Sequence, residues 1–133
     1  QQKIAEFGKV YLLDLHSFGG LINDDVCLEN VNNQTCSEKL ISTVDKCFSS
    51  QSLQVVRNKK FVGGYITRHY GEMSNVESLQ IEVRYHVYLQ ENQIDKPEPP
   101  SYEVIEFETA KQKFNHIFEM IVSKTAYLQS NLV

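Results

Sequence analysis

Val10-Tyr11-Leu12-Leu13-Asp14-Leu15 is a short, nearly continuous apolar run. A strand with one face in water alternates apolar and polar residues, so this run predicts a strand buried on both faces, in a sheet that helices cover. His16-Ser17-Phe18-Gly19-Gly20 follows at once, and its two glycines let the backbone turn away. Further strands are expected at Leu53–Val56 and, most clearly, at Leu79–Tyr85. There Leu79, Ile81, Val83 and Tyr85 fall on one face and Gln80, Glu82, Arg84 and His86 on the other. Phe61–Gly71, with β-favouring residues between glycines, reads as extended, and Val26-Cys27-Leu28 as an apolar piece inside a loop. Thr35 and Glu38 have the spacing of a capping box, which starts a helix with Cys36, Leu40, Ile41, Val44, Cys47 and Phe48 on one stripe. A second, long amphipathic helix is predicted over 107–130, with Phe107, Ala110, Phe114, Ile117, Phe118, Ile121 and Leu128 on its apolar side. Residues 95–101, rich in proline, form a connector that neither helix nor central strand tolerates. Strands interleaved with helices predict an α/β fold, a mixed sheet flanked by helices.

At 133 residues the chain affords one core and reads as a single domain over 1–133. The 13 Lys and Arg against 17 Asp and Glu give a net charge of −4 with no basic cluster, which argues against nucleic acid as a partner. No apolar stretch approaches the roughly 20 residues that span a bilayer, so no membrane partner is expected. Three cysteines without C-x-x-C spacing argue against a disulfide framework and against a zinc ribbon. Cys36 and Cys47 read as small buried hydrophobes, and nothing near Cys27 would lower its pKa for nucleophilic work.

Chemistry could reside in three places. His16 follows a buried strand, at the carboxyl end where open α/β sheets build their sites, and a neutral imidazole there could ligate zinc. A loop histidine bonded to backbone fits the same spacing. Glu82 could exchange a proton with a water and a leaving group, with Arg84 beside it to pair with it or hold it in position. A solvated strand face fits that pattern too. Arg68, in a glycine-flanked segment, could grip a carboxylate through two parallel hydrogen bonds, or be an ordinary surface arginine. His69 has the opposite strand parity from Arg68, and His86 and His116 suggest no role.

Four blocks occur in order: Tyr11-Leu12-Leu13-Asp14-Leu15-His16-Ser17-Phe18, Asp25-Val26-Cys27-Leu28, Gly63-Gly64-Tyr65-Ile66-Thr67-Arg68-His69-Tyr70-Gly71 and Glu77-Ser78-Leu79-Gln80-Ile81-Glu82-Val83-Arg84. Together they resemble the N-formylglutamate amidohydrolase (deformylase) family over about 60% of the chain, from Val10 to Leu89. The resemblance implies a zinc-carboxypeptidase-like (phosphorylase/hydrolase-like) fold and hydrolysis of N-formyl-L-glutamate to formate and L-glutamate. It implies zinc as cofactor with His16 as a metal ligand, Glu82 as the catalytic carboxylate, and Arg68, Arg84 and Gly64 at the substrate, a small acidic acyl amino acid. The family's first ligands, a histidine and an acidic partner, lie in an N-terminal portion without counterpart here. The chain is therefore expected to be the C-terminal portion of such a domain. Glu29 stands where the family tends to carry glycine, and Lys60 and Val62 replace its usual proline and lysine around Phe61.

Two other readings stay open at this level: a non-catalytic relative that binds a ligand or a protein, and a hydrolase for another acyl amino acid. A sheet edge left exposed would also suit pairing with a second copy of the chain. The absence of an export signal makes a cytoplasmic location the expectation.

Overall fold

The computed structural model describes residues 2–20 and 22–130, with the side chains of 128–130 excepted. In chain order the elements are α1 (Gln2–Phe7), β1 (Val10–Phe18), β2 (Val26–Glu29), α2 (Glu38–Ser49), β3 (Val55–Arg57), α3 (Tyr65–Gly71), β4 (Val76–Arg84) and α4 (Ile105–Ser130). The strands form one mixed sheet in the order β1-β4-β2-β3, with β1 parallel to β4, β2 antiparallel to β4, and β3 parallel to β2.

Strand parity divides the sheet into two unlike faces. Leu79 and Ile81 of β4 and Val26 and Leu28 of β2 point to an apolar side. There they meet Leu40, Ile41, Val44, Cys47 and Phe48 of α2, with Ile117 and Ile121 of α4. Phe48 is fully buried and meets Phe114 and Phe118 edge to face, with ring centroids 6.2 and 6.3 Å away. The other face carries Ser78, Gln80, Glu82, Cys27 and Glu29, and α3 packs over it. The layered mixed sheet and the long C-terminal helix are as the periodicity predicts, and Cys27, Cys36 and Cys47 are free and buried. Residues 95–101 carry neither helix nor strand, and Leu128 lies outside the described side chains.

Several sequence expectations need correction. The Val10–Leu15 run is not buried on both faces. The strand lies at the sheet's edge, its residues are half-buried, and Leu15 is 57% exposed. The apolar piece at Val26 is no loop but the start of β2, an inner strand buried at every residue. The first long helix is capped by Ser37, whose Oγ accepts from the Leu40 N–H at 3.2 Å, rather than by Thr35. Thr35 instead donates through Oγ1 to the Ser78 carbonyl at 2.8 Å. β4 ends at Arg84, so Tyr85 and His86 begin a short 3₁₀ turn and leave the strand faces.

The segment from Tyr65 to Gly71 is helical although its composition favours strand. As a strand it would turn Tyr65, Thr67 and His69 together onto the sheet. As a helix it presents Thr67 and, four residues on, Gly71. Thr67 is buried, and a Cβ built on Gly71 would meet Thr35 Cβ at 2.5 Å, so the close approach of α3 requires glycine there. Tertiary packing thus overrides a weak local preference.

Glu77 fastens the start of β4 to α2 and β1. Its Oε2 accepts from the Ser37 N–H at 2.8 Å and from Ser37 Oγ at 2.7 Å, and its Oε1 pairs with the Lys9 ammonium. Burial alone would raise this carboxyl, but the Lys9 and Ser37 bonds outweigh it and hold it below its usual range. A carboxyl depressed in the folded state contributes stability above its unfolded pKa and loses it as pH falls through the folded value. Glu77→Gln is expected to cost about 1–2 kcal/mol near neutral pH. In urea titrations the difference from the unmodified protein should shrink as pH falls through the depressed Glu77 value and its carboxylate is protonated.

Candidate active site

Register places the polar residues in two rows across the sheet. His16 of β1 lies opposite Glu82 of β4, which lies opposite Cys27 of β2. One pleat back, Asp14 lies opposite Gln80, which lies opposite Glu29. β1 and β4 run parallel, so His16 and Glu82 stand together near the carboxyl ends of both strands, where open α/β sheets bind ligands.

Asp14 and His16 are two residues apart on one strand face and meet at 2.9 Å, Oδ1 to Nε2. The other Asp14 oxygen accepts from Thr67 Oγ1 at 3.3 Å, so α3 helps to fix the carboxylate. Asp14 is almost enclosed whereas His16 is 44% exposed. A carboxylate on one ring nitrogen sets the tautomer and leaves Nδ1 as the nitrogen available to a ligand.

Glu82 is 7% exposed, so this polar strand face is not the solvated one that its pattern also allowed. Its Oε1 accepts from Gln80 Nε2 at 2.8 Å. Burial raises the Glu82 carboxyl above its usual range, against the pull of His16 and the Gln80 bond, and the Asp14 charge adds to the rise. A carboxylate lifted towards neutral pH is suited to exchanging protons with a reacting group. Gln80 Nε2 also donates to Glu29 Oε2 at 2.9 Å, and Gln80 Oε1 accepts from the Gly64 N–H at 2.6 Å. Burial pushes Glu29 up to about 7, with the Glu82 charge adding to it. Burial likewise lifts the Cys27 thiol to about 11, which keeps it protonated and unreactive.

The structure therefore brings together His16, Glu82 and Gly64, with Gly64 bonded to the Gln80 amide. Arg68 is exposed on α3, its Nε donating to the Gly63 carbonyl at 3.0 Å. Arg84 makes no ion pair with Glu82. Its Nη1 donates to the Asn23 carbonyl at 3.1 Å, and its Nε is buried without a hydrogen-bond partner. His69 stacks on Tyr65 on the exposed side of α3, with centroids 5.5 Å apart. Because α3 is helical, strand parity does not separate His69 from Arg68. Sequence reasoning missed the site roles of Asp14, Gln80, Thr67 and Glu29. The i, i+2 spacing of Asp14 with His16, and of Gln80 with Glu82, was the available signal for two of them.

A catalytic zinc takes three protein ligands and leaves one position open. Among the described residues no three His, Cys, Asp or Glu side chains converge to hold a metal ion. His16, oriented by Asp14, has the chemistry of one such ligand. Among the described residues no helix is long and apolar enough to cross a membrane.

The model of the N-formylglutamate amidohydrolase family matches residues 1–89. The N-formylglutamate deformylase of Pseudomonas aeruginosa is 32% identical over 97 residues, which is 65% of this chain and 36% of the relative. That of Pseudomonas putida is 30% identical over 98 residues, 66% of this chain and 36% of the relative. The chain thus spans about a third of the length of the curated relatives it matches. In fold it is similar to the crystal structure of N-formylglutamate amidohydrolase from Ralstonia eutropha, with a TM-score of 0.77 and 20% identity over 98% of this chain and 48% of that one. It is also similar to gene product Atu2144 from Agrobacterium tumefaciens, with a TM-score of 0.56 and 18% identity over 92% of this chain and 45% of that one. With the family match covering the strands that carry His16, Gln80 and Glu82, the chain belongs to the N-formylglutamate amidohydrolase family.

Proposed function

We propose that the protein hydrolyses the linear amide of N-formyl-L-glutamate to formate and L-glutamate, with Glu82 as the proton carrier and His16 as one ligand of a zinc ion. The observation that carries this reading is the row of His16 and Glu82 at the carboxyl ends of two parallel strands, the histidine oriented by Asp14 and the carboxylate raised by burial. The names of the Pseudomonas relatives supply the substrate.

When bound, zinc supplies Lewis acidity at the formyl oxygen and lowers the pKa of the attacking water. In this reading its further ligands come from outside the described residues. Glu82 takes the proton that the water gives up as its oxygen bonds to the formyl carbon. It then delivers that proton to the glutamate nitrogen as the C–N bond breaks, so the amine leaves neutral and the carboxylate is regenerated. Asp14 keeps the His16 ring in one tautomer and orientation throughout. Arg68 and Arg84 give the substrate's carboxylates cationic partners, and Gly64 admits the substrate close to the backbone.

Metal content tests the His16 assignment. Mass spectrometry of the purified protein, with the segments that carry those further ligands present, is expected to find about one zinc per chain. His16→Ala should remove most of it, and His16→Ala with unchanged zinc would reassign the ligand. No zinc in either form would favour a binding module on the same fold.

A further inference from the structure

Glu29 is a carboxylate in an unusual place. It closes β2, between β4 and β3, and has no exposed surface. Its Oε2 accepts from Gln80 Nε2 at 2.9 Å, while no hydrogen bond of normal geometry reaches its buried Oε1. The Cys27 thiol, a weak donor, also lies against the carboxyl. A buried oxygen without a partner destabilises the fold, and an apolar side chain of similar size would avoid the penalty. A purely structural role does not account for a carboxylate here.

The Gln80 amide supplies one that does. A primary amide offers two hydrogens and one carbonyl oxygen. The two hydrogens of Gln80 go to Glu29 Oε2 and Glu82 Oε1, and its oxygen receives the Gly64 N–H at 2.6 Å. The Gly64 donor fixes which end of the amide is oxygen, so the amide cannot flip. With one hydrogen held by Glu29, the other is turned onto Glu82. We propose that Glu29 is a positioning residue: acting through the Gln80 amide, it clamps one Glu82 oxygen and leaves the other as the oxygen that exchanges protons during hydrolysis. The proposal rests on the reading of Glu82 as proton carrier.

Glu29→Leu removes the acceptor at similar volume, and Glu29→Gln keeps an acceptor oxygen. With N-formyl-L-glutamate, Glu29→Leu is expected to lower kcat about tenfold with KM within about twofold, and Glu29→Gln to recover most of the loss. By NMR, one of the two Gln80 side-chain amide protons should move upfield in Glu29→Leu and return in Glu29→Gln. Unchanged kcat in Glu29→Leu would overturn the proposal, as would a Gln80 signal that does not move. Should Glu29→Leu not fold, Glu29→Asp draws the acceptor back by one methylene and carries the same test, with kcat several-fold lower expected and wild-type kcat contradictory. Inactivity of the metal-loaded, folded, unmodified protein would instead sink the hydrolase reading, while the Gln80 resonances would still report on the clamp.

Discussion

Glu82→Gln is expected to lower kcat for hydrolysis of N-formyl-L-glutamate by roughly 10²- to 10⁴-fold, the usual contribution of a positioned general acid–base. The substitution keeps shape, and the amide it introduces retains an oxygen that can accept the Gln80 hydrogen now received by Glu82 Oε1 at 2.8 Å. What disappears is the ability to take a proton and return it. Burial opposes the charge on Glu82, so the neutral amide should leave the thermal midpoint unchanged or slightly raised. A large fall in kcat with an unchanged melting curve is the expected pair of results. Near-normal turnover in the folded variant would remove Glu82 from the chemistry.

Phe48→Ala is expected to have the largest effect on stability, about 3–5 kcal/mol. Phe48 has no exposed surface, sits where α2 meets α4, and makes edge-to-face contacts with both Phe114 and Phe118. Truncation removes transfer energy, opens a cavity and deletes two ring contacts, each worth about 0.5–1.5 kcal/mol beyond its area. Domains of this size have about 5–15 kcal/mol in total, so the variant should unfold at much lower urea. Because α2 and α4 cover the face opposite Glu82, the folded fraction should keep its kcat. A shift under about 1 kcal/mol would show that α4 docks more loosely than its packing indicates.

Elements with long, regular patterns were legible from residue order alone. The alternation through Leu79, Ile81 and Val83 and the stripe from Ala110 to Ile121 each commit many residues to one face, and both elements form. β2 was not legible, because four residues ending in glutamate are too few to show a period. α3 was misread because Tyr65, Ile66 and Thr67 favour strand locally, while what decides the matter is a contact between Gly71 and Thr35, far apart in the chain. Whether Val10–Leu15 is central or at an edge depends on pairing, which residue order does not carry.

The site divides the same way. His16 and Glu82 stand out by their places at a strand end and on a polar strand face, and a family resemblance carried by short blocks of residues supplies their expected roles. Their neighbours Asp14 and Gln80 are signalled only by i, i+2 spacing, and Glu29 comes into view once three strands are set in register. The burial that lifts Glu82 and Glu29 also needs α3 as a roof over the sheet, and composition argued against that helix.

The most direct test of the hydrolase reading is product release from N-formyl-L-glutamate, set beside N-acetyl-L-aspartate and N-succinyl-L-glutamate. The expected result is formate and L-glutamate in equal amounts, with the formyl substrate preferred and the products lost in Glu82→Gln. Preference for another acyl group would keep the Glu82 chemistry and change the substrate. No hydrolysis of any of the three by metal-loaded, folded protein would contradict the reading.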